Sequence, residues 1–206
     1  FLAILGWNAG TEQEIFSKDE LVEKFSLERV QRSGARYDEE RLLWMNGYWI
    51  RSLDIDDLLG RAEKYWPASA DGADMAYKKA VLTLVKDRLK TLAELPLMTR
   101  YFFEEPVINH ELLTTNKQLM KLSADEQKTL LETSAATLNA IAWTPEHIQD
   151  ALNQLLHVTE QKPGILFSLI RIATTWAPFS PELPATLALL GKEHSLARLQ
   201  TAIDSL

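Results

Sequence analysis

Apolar residues recur at helical spacing along almost the whole chain. The longest such pattern is ADMAYKKAVLTLVKDRLKTLAEL, residues 73–95. Its apolar stripe is formed by Val81, Leu84, Val85 and Leu89, and its lysines lie largely off that stripe. A strand would need alternation with a period of two, which is rare in this sequence. The pattern predicts an all-α fold, with one continuous helix over residues 73–95.

Helix starts are marked by capping residues. Capping-box or N-cap patterns occur at Ser17, Asp38, Ser123 and Thr144. Gly47 ends the stretch DEERLLWMNG and fits the C-terminal cap of the helix that Asp38 opens. Helix breakers lie in WPASADG (66–72) and in EEPVIN (104–109), and the second is predicted to be a domain boundary.

Composition restricts the class of function. A net charge of -7 argues against sequence-blind binding of nucleic acid, although it permits a local cationic patch. Cysteine is absent, which excludes disulfides and thiolate metal sites, and we expect a cytoplasmic protein. The first residue is Phe1, so we expect a fragment of a longer protein. There is no apolar run of membrane-spanning length, and no membrane partner is expected.

Motifs for catalysis are missing from the sequence. The four histidines are scattered with no partner at ligand spacing, so no metal site is expected. No phosphate-cradling glycine motif and no nucleophile elbow occurs. We therefore expect neither catalytic residues nor a cofactor in this chain.

Half of the arginines lie in one stretch. FSLERVQRSGARYDEERLLWMNGYWIR, residues 25–51, holds five of the ten. It also carries Trp44 and Trp49, for which two interpretations exist, a platform for bases or part of a core. Because Met45 and Trp49 fall on one helical face, the core is the expected place for both tryptophans.

Three segments carry a resemblance to a known family. LAILGW through YWIR (2–51) resembles the segment that follows the KMSKS loop in bacterial-type glutamyl-tRNA synthetases, a family of class I aminoacyl-tRNA synthetases. VKDRLKTLAELPLMTRYFF (85–103) and LALLGKEHSLARLQTAI (187–203) resemble later segments of the same family.

This resemblance implies a domain order. It implies part of a stem-contact domain in residues 1–51, then two helical-bundle anticodon-binding domains in residues 52–107 and 108–206. The HxGH and KMSKS motifs are absent, so the catalytic domain, with its ATP and Mg²⁺, would lie upstream. The chain alone would be inactive. Its implied partner is glutamate tRNA and not DNA, and the protein is expected to be a monomer.

The resemblance also implies two arginines that contact the anticodon. Arg88 matches the position associated with the third anticodon nucleotide, which separates glutamate from glutamine tRNAs. The alternative is an exposed arginine paired with Glu94 or Asp87. Arg171 matches a second anticodon-contacting arginine, and the alternative is a side chain that snorkels from an apolar helix.

Further contacts are implied on both sides of these arginines. The loop FSPELP corresponds to a loop that packs against anticodon bases, which assigns base contacts to Ser180, Pro181 and Leu183. Contacts to the tRNA backbone are assigned to Arg29, Arg32, Arg36 and Arg41, with solvated surface charges as the alternative.

Two other functions remain open at this point. A helical protein-interaction scaffold could use the same architecture without RNA, but it has no reason to bring Arg88 and Arg171 into one groove. A synthetase paralogue with an altered substrate would keep the groove and change the residues that read the anticodon.

Overall fold

A computed structural model describes residues 1–31, 34 and 36–206. In these residues α-helices alternate with short 3-10 turns, and the β structure is a single bridge between Trp7 and Val30. The helices are α1 Leu2–Gly6, α2 Lys18–Lys24, α3 Glu39–Ser52, α4 Ile55–Ala62, α5 Met75–Val85, α6 Leu95–Thr99, α7 Glu111–Thr115, α8 Ala124–Asn139, α9 Pro145–Thr159, α10 Pro163–Thr175, α11 Leu183–Leu190 and α12 Lys192–Ser205. The predicted all-α fold is confirmed. None of the helices in these residues combines the length and the apolar character needed to cross a bilayer.

The helix starts lie where the capping residues predict them. Ser17 and Ser123 each form a complete capping box at the starts of α2 and α8. The Asp38 carboxylate accepts a hydrogen bond from the N–H of Arg41, and Thr144 caps α9. Such caps each contribute about 1 kcal/mol to helix stability.

The predicted helix end at Gly47 is wrong. Helix α3 continues through Gly47, which is buried, to Ser52. A Cβ atom on Gly47 would lie 3.2 Å from the carbonyl oxygen of Leu89 and 3.5 Å from the Cα of Lys90. The glycine is therefore needed for close packing of another chain segment, which the sequence pattern around it does not reveal.

The predicted continuous helix over residues 73–95 is also wrong. Helix α5 ends at Val85 and is followed by a 3-10 turn that ends at Arg88. The side-chain amide of Asn46, on α3, donates a 2.5 Å hydrogen bond to the carbonyl of Lys90. The Glu94 carboxylate accepts hydrogen bonds from the N–H groups of Lys90 and Thr91, so Asn46 and Glu94 together satisfy backbone groups that a continuing helix would have paired.

Two large apolar cores lie in succession along the chain. The first bundle, α3–α6, and the second bundle, α7–α12, each enclose their own cluster of buried side chains. A third, smaller cluster joins them and consists of Val81, Tyr101, Phe102, Ala177 and Leu190. The domain limits at residues 51 and 107 stay predictions.

The prediction that both tryptophans of α3 lie in a core is wrong. Trp44 and Trp49 are 47% and 45% exposed, whereas Met45 and Ile50 are 4% and 6% exposed. The tryptophan that is buried near the N-terminus is Trp7, at 2% exposure. The neighbours of α3 cover its Met45 and Ile50 side, so hydrophobicity alone did not identify the buried face.

Candidate nucleic-acid interface

Arg88 occupies the last position of the 3-10 turn that follows α5. Its side chain is exposed, and among the described residues it forms no ion pair and no side-chain hydrogen bond. The pairing with Glu94 or Asp87 that was considered above is not formed. The Glu94 carboxylate instead accepts a 2.8 Å hydrogen bond from the N–H of Lys90.

Arg171 lies on α10 and is held in place. Its Nε donates a 2.9 Å hydrogen bond to Oγ of Ser180, in the loop between α10 and α11. The Ser180 hydroxyl donates in turn to the carbonyl of Pro181, at 3.2 Å. Burial lowers the pKa of the Arg171 guanidinium, and the positive charge of Arg88 lowers it further. The side chain is therefore partly desolvated and fixed from one side.

Arg88 and Arg171 come from different bundles, and the charge of Arg88 contributes to lowering the pKa of Arg171. Within the described part of the chain, no carboxylate forms an ion pair with either arginine. This is unusual in a protein with a net charge of -7, because acidic groups are plentiful elsewhere on it. Two cations without an ion-paired acid favour a ligand that supplies negative charge or hydrogen-bond acceptors.

The loop after α10 has its candidate side chains turned inward. Ser180 and Leu183 are 3% and 2% exposed, Pro181 is buried, and Leu183 belongs to the core of the second bundle. The structure thus gives Ser180 a part in positioning Arg171. Contacts of these three residues with bases stay predictions.

Tyr101 is a buried residue of the cluster between the two bundles that the sequence did not single out. It is 2% exposed, and its hydroxyl is buried without a hydrogen-bond partner among the described residues. Burial raises the pKa of this hydroxyl, while the charges of Arg171 and Arg88 oppose the rise. In the sequence, the apolar run YFF gives no indication of this buried hydroxyl.

Arg198, on α12, is a second residue that was missed. It is 6% exposed and uses its five N–H groups in hydrogen bonds. They run to the carbonyls of Tyr101 at 2.9 Å, Thr174 at 3.2 Å and Glu104 at 3.1 Å, and to the Glu105 carboxylate at 3.0 and 3.3 Å. Arg198 therefore fastens the segment that carries Tyr101 to α10 and α12.

The arginines of the N-terminal segment have partners of their own. The Arg29 guanidinium donates to the carbonyl of Ala9. Arg41 lies 3.0 Å from the carboxylate of Glu14. Neither Ala9 nor Glu14 belongs to the segments that carry Arg88 and Arg171.

The structure describes one of the two remaining N-terminal arginines. Arg36 is exposed, whereas Arg32 lies outside the described residues. Roles of all four N-terminal arginines at a tRNA backbone stay predictions. In the described residues, no group of three or more histidine, aspartate or glutamate side chains is arranged to hold a metal ion.

The fold is a helical domain in which Arg88 and Arg171 form no ion pair among the described residues. Residues 57–203 match the family model described as an anticodon binding domain. The chain therefore belongs to the anticodon binding domain family.

Relatives that match over nearly the whole of this chain are glutamate–tRNA ligases. The chain is 33% identical to the glutamate–tRNA ligase of Chloroflexus aurantiacus over 213 residues, covering 100% of this chain and 42% of that protein. It is 36% identical to the glutamate–tRNA ligase of a Roseiflexus species over 211 residues, covering 98% and 41%. The resemblance to glutamyl-tRNA synthetases is thus confirmed, and the chain spans about two fifths of the length of these relatives.

A solved structure supports the same fold. A glutamate tRNA ligase from Elizabethkingia meningosepticum, crystallised in complex with its amino acid, superposes with a TM-score of 0.79 at 21% identity. The match covers 100% of this chain and 40% of that one.

Proposed function

We propose that this chain is the tRNA-recognition half of a glutamate–tRNA ligase and binds the anticodon arm of glutamate tRNA. In the whole enzyme, this grip would position the acceptor end of the tRNA for ATP-dependent attachment of glutamate. ATP and Mg²⁺ would bind in a catalytic part outside this sequence, because the HxGH and KMSKS motifs are absent from it. By itself the chain would bind RNA as a monomer in the cytoplasm without forming an aminoacyl product.

The match of residues 57–203 to the anticodon binding domain family carries this proposal, and Arg88 and Arg171, which form no ion pair among the described residues, are the candidate readers of the bases. Anticodon bases can be splayed out of the RNA stack and read on their edges. Arginine suits this task because its planar guanidinium donates two hydrogen bonds to a base edge or stacks on its face. A bidentate contact discriminates between bases by about 1–3 kcal/mol.

The two arginines are prepared for binding in different ways. Arg171 is fixed by its hydrogen bond to Ser180, so little conformational freedom is lost when it meets RNA. Arg88 is exposed and can adapt to the base that enters. In this proposal the arginines of the N-terminal segment contact phosphates, which set the register of the RNA without reading its sequence.

A helical protein-interaction scaffold is the less supported alternative. A scaffold gains nothing from two cations brought together from separate bundles, because each would repel the other until a ligand arrived. A paralogue of the synthetase with another substrate would keep the groove and change the residues that read the anticodon, and the binding measurement below would reveal it through its preferred anticodon.

Binding of matched tRNAs tests the proposal. Fluorescence titration at one salt concentration would compare a glutamate tRNA with the same tRNA carrying a glutamine anticodon. Fixed salt is needed because phosphate contacts change affinity steeply with ionic strength. We expect the glutamate anticodon to bind roughly tenfold more tightly or better, in line with a bidentate contact.

Substitution of Arg88 separates base reading from simple charge. Arg88→Gln should narrow the difference between the two tRNAs. Arg61→Gln is the matched control, because Arg61 is also an exposed arginine, paired with Asp57, and should leave the difference unchanged. Equal affinity of the unmodified chain for both tRNAs would refute discrimination, and no binding to either would favour the scaffold.

A further inference from the structure

The apolar contact between the two bundles is small and has hollows beside it. Among the described residues, five buried side chains form the cluster that joins the bundles, whereas twenty form the core of the second bundle. A cavity of about 490 Å³ adjoins this cluster, with Tyr77 on the side of the first bundle and His194 on the side of the second. A groove of about 730 Å³ lies between α5 and α11. Apolar packing of this extent leaves the angle between the bundles weakly determined.

The hydroxyl of Tyr77 connects the bundles at the cavity. It donates to the carbonyl of Phe102, at 3.2 Å, and to the carbonyl of Leu189, at 3.4 Å. Phe102 follows α6, whereas Leu189 lies in the last turn of α11, in the second bundle. Carbonyls in the last turn of a helix lack a helical donor, and the N–H of Gly191 reaches two earlier ones. Tyr77 thus supplies a donor to the end of a helix in the other bundle.

The ring of Tyr77 is held by aromatic neighbours. It packs edge-on against Phe103, with 5.7 Å between the ring centroids, and Phe103 packs edge-on against Trp66 at 5.5 Å. The place of the hydroxyl is therefore set by the first bundle and the segment after α6.

Arg198 makes a different connection between the bundles. It reaches from α12 to the carbonyls of Tyr101 and Glu104, in the segment that links the bundles. Its partners among the described residues include no group of α5. Arg198 therefore keeps the linking segment attached, while Tyr77 fixes α11 relative to α5.

We propose that Tyr77 is a positioning residue, whose hydroxyl fixes the angle between the two bundles and thereby the separation of Arg88 and Arg171. The role of that separation rests on the proposed function. Arg88 follows α5, the helix that carries Tyr77, whereas Arg171 lies on α10 in the second bundle. A change of angle moves one arginine relative to the other, and an RNA that contacts both binds only the molecules with the competent angle.

Removal of the hydroxyl should affect the angle more than the stability. The carbonyls of Phe102 and Leu189 belong to residues that line the cavity, so water can donate to them in Tyr77→Phe. Water satisfies each carbonyl, but it does not connect the ring to α11. We therefore expect the melting temperature to change little, while the distances between the bundles become more widely distributed.

Spin labels measure this angle directly. The chain has no cysteine, so Glu63→Cys and Gln154→Cys would place one label on each bundle, at exposed positions. Pulsed electron paramagnetic resonance of this pair should give one narrow distance distribution when Tyr77 is present. With Tyr77→Phe the distribution should broaden or shift.

Tyr101→Phe is the matched control variant. The Tyr101 ring belongs to the same cluster, but its hydroxyl has no partner among the described residues, so the same chemical change should leave the distances unaltered. A second label pair, Glu132→Cys with Gln154→Cys, lies within the second bundle and should keep its distances in every variant. The inference is overturned if Tyr77→Phe leaves the distances between the bundles unchanged. It is also overturned if the second pair broadens equally, because the variant would then loosen the protein in general.

Binding of tRNA tests the consequence for function. If about a third of Tyr77→Phe molecules hold the competent angle, this variant should bind the glutamate tRNA and its glutamine-anticodon form each about threefold more weakly, with their ratio unchanged. Undiminished affinity despite broadened distances, or a changed ratio, would overturn the link between angle and binding. If the unmodified chain binds neither tRNA, the proposed function fails, and the distances alone decide the role of Tyr77.

Discussion

Arg198 is expected to be the largest single polar contributor to the stability of this chain. Its guanidinium is buried and satisfies carbonyl groups from two separate segments, at Tyr101 and Glu104 and at Thr174. Arg198→Met retains much of the apolar stem and removes all five donors. The carbonyl of Thr174 lies at the end of α10, where no helical N–H is available to replace the lost donor.

The loss in the free energy of unfolding follows from the acceptors that Arg198→Met leaves without a donor. Each buried acceptor without a donor costs about 1–3 kcal/mol. The Tyr101 and Thr174 carbonyls bear most of this cost, since the bond to Glu104 is only partly buried. The ion pair adds little because the Glu105 carboxylate is 66% exposed and screened by water. We expect the free energy of unfolding to fall by about 3 kcal/mol.

Urea unfolding followed by tryptophan fluorescence would measure this loss by linear extrapolation. Arg198→Lys should give an intermediate loss, because an ammonium group cannot reproduce the planar set of donors. Arg61→Met is the control, since Arg61 is exposed and its removal should leave the midpoint unchanged. A loss of less than about 0.5 kcal/mol in Arg198→Met, the range of an ordinary surface substitution, would refute the reasoning.

Two further predictions concern acid and close packing. Hydrogen bonds from Arg198 hold the pKa of Glu105 below its ordinary 4.5, so this stabilisation is present above that pH and is lost as pH falls through the lowered pKa. Glu105→Gln should therefore lose less stability than the unmodified chain between about pH 5 and pH 3, and identical acid profiles would contradict this. Gly47→Ala should lower the free energy of unfolding by about 1–2 kcal/mol, because its Cβ would press on Leu89, while Gly60→Ala, with no atom within 4 Å of its Cβ, should raise it by up to about 1 kcal/mol. Equal effects of both alanines in urea unfolding would count against the packing argument.

Features that depend on nearby residues could be predicted from the sequence. Ser17, Ser123 and Thr144 cap helices as expected, because a cap involves groups only two or three positions apart. The all-α class follows from the same local periodicity. The continuous helix over 73–95 failed for two reasons: the carbonyl of Lys90 bonds to Asn46, some forty positions earlier in the chain, and the local capping box of Thr91 and Glu94 was overlooked.

Only part of the candidate site could be predicted from the sequence, because contacts between distant segments are not visible in it. Arg88 and Arg171 were named from the resemblance, but only the folded chain shows that Ser180 holds Arg171 in place. Tyr101 was missed because nothing local distinguishes its hydroxyl from those of other tyrosines.

Arg198 could have been noticed in the sequence. It falls on the buried stripe formed by Ser195, Leu199 and Ala202, at spacings of three and four residues. A charged residue on such a stripe usually needs partners inside the protein. Those partners come from segments about 24 and 97 positions away, so the sequence could indicate the need for partners but not their identity.

The contact between α3 and the segment after α5 links the position of Arg88 to the position of α3. The turn that carries Arg88 is fastened to α3 through Asn46 and Gly47, whereas Arg171 is anchored in the second bundle. A small tilt of α3 would therefore carry Arg88 with it and alter its separation from Arg171. Substitutions on α3 offer evolution a way to change the separation of the two arginines while both arginines stay the same.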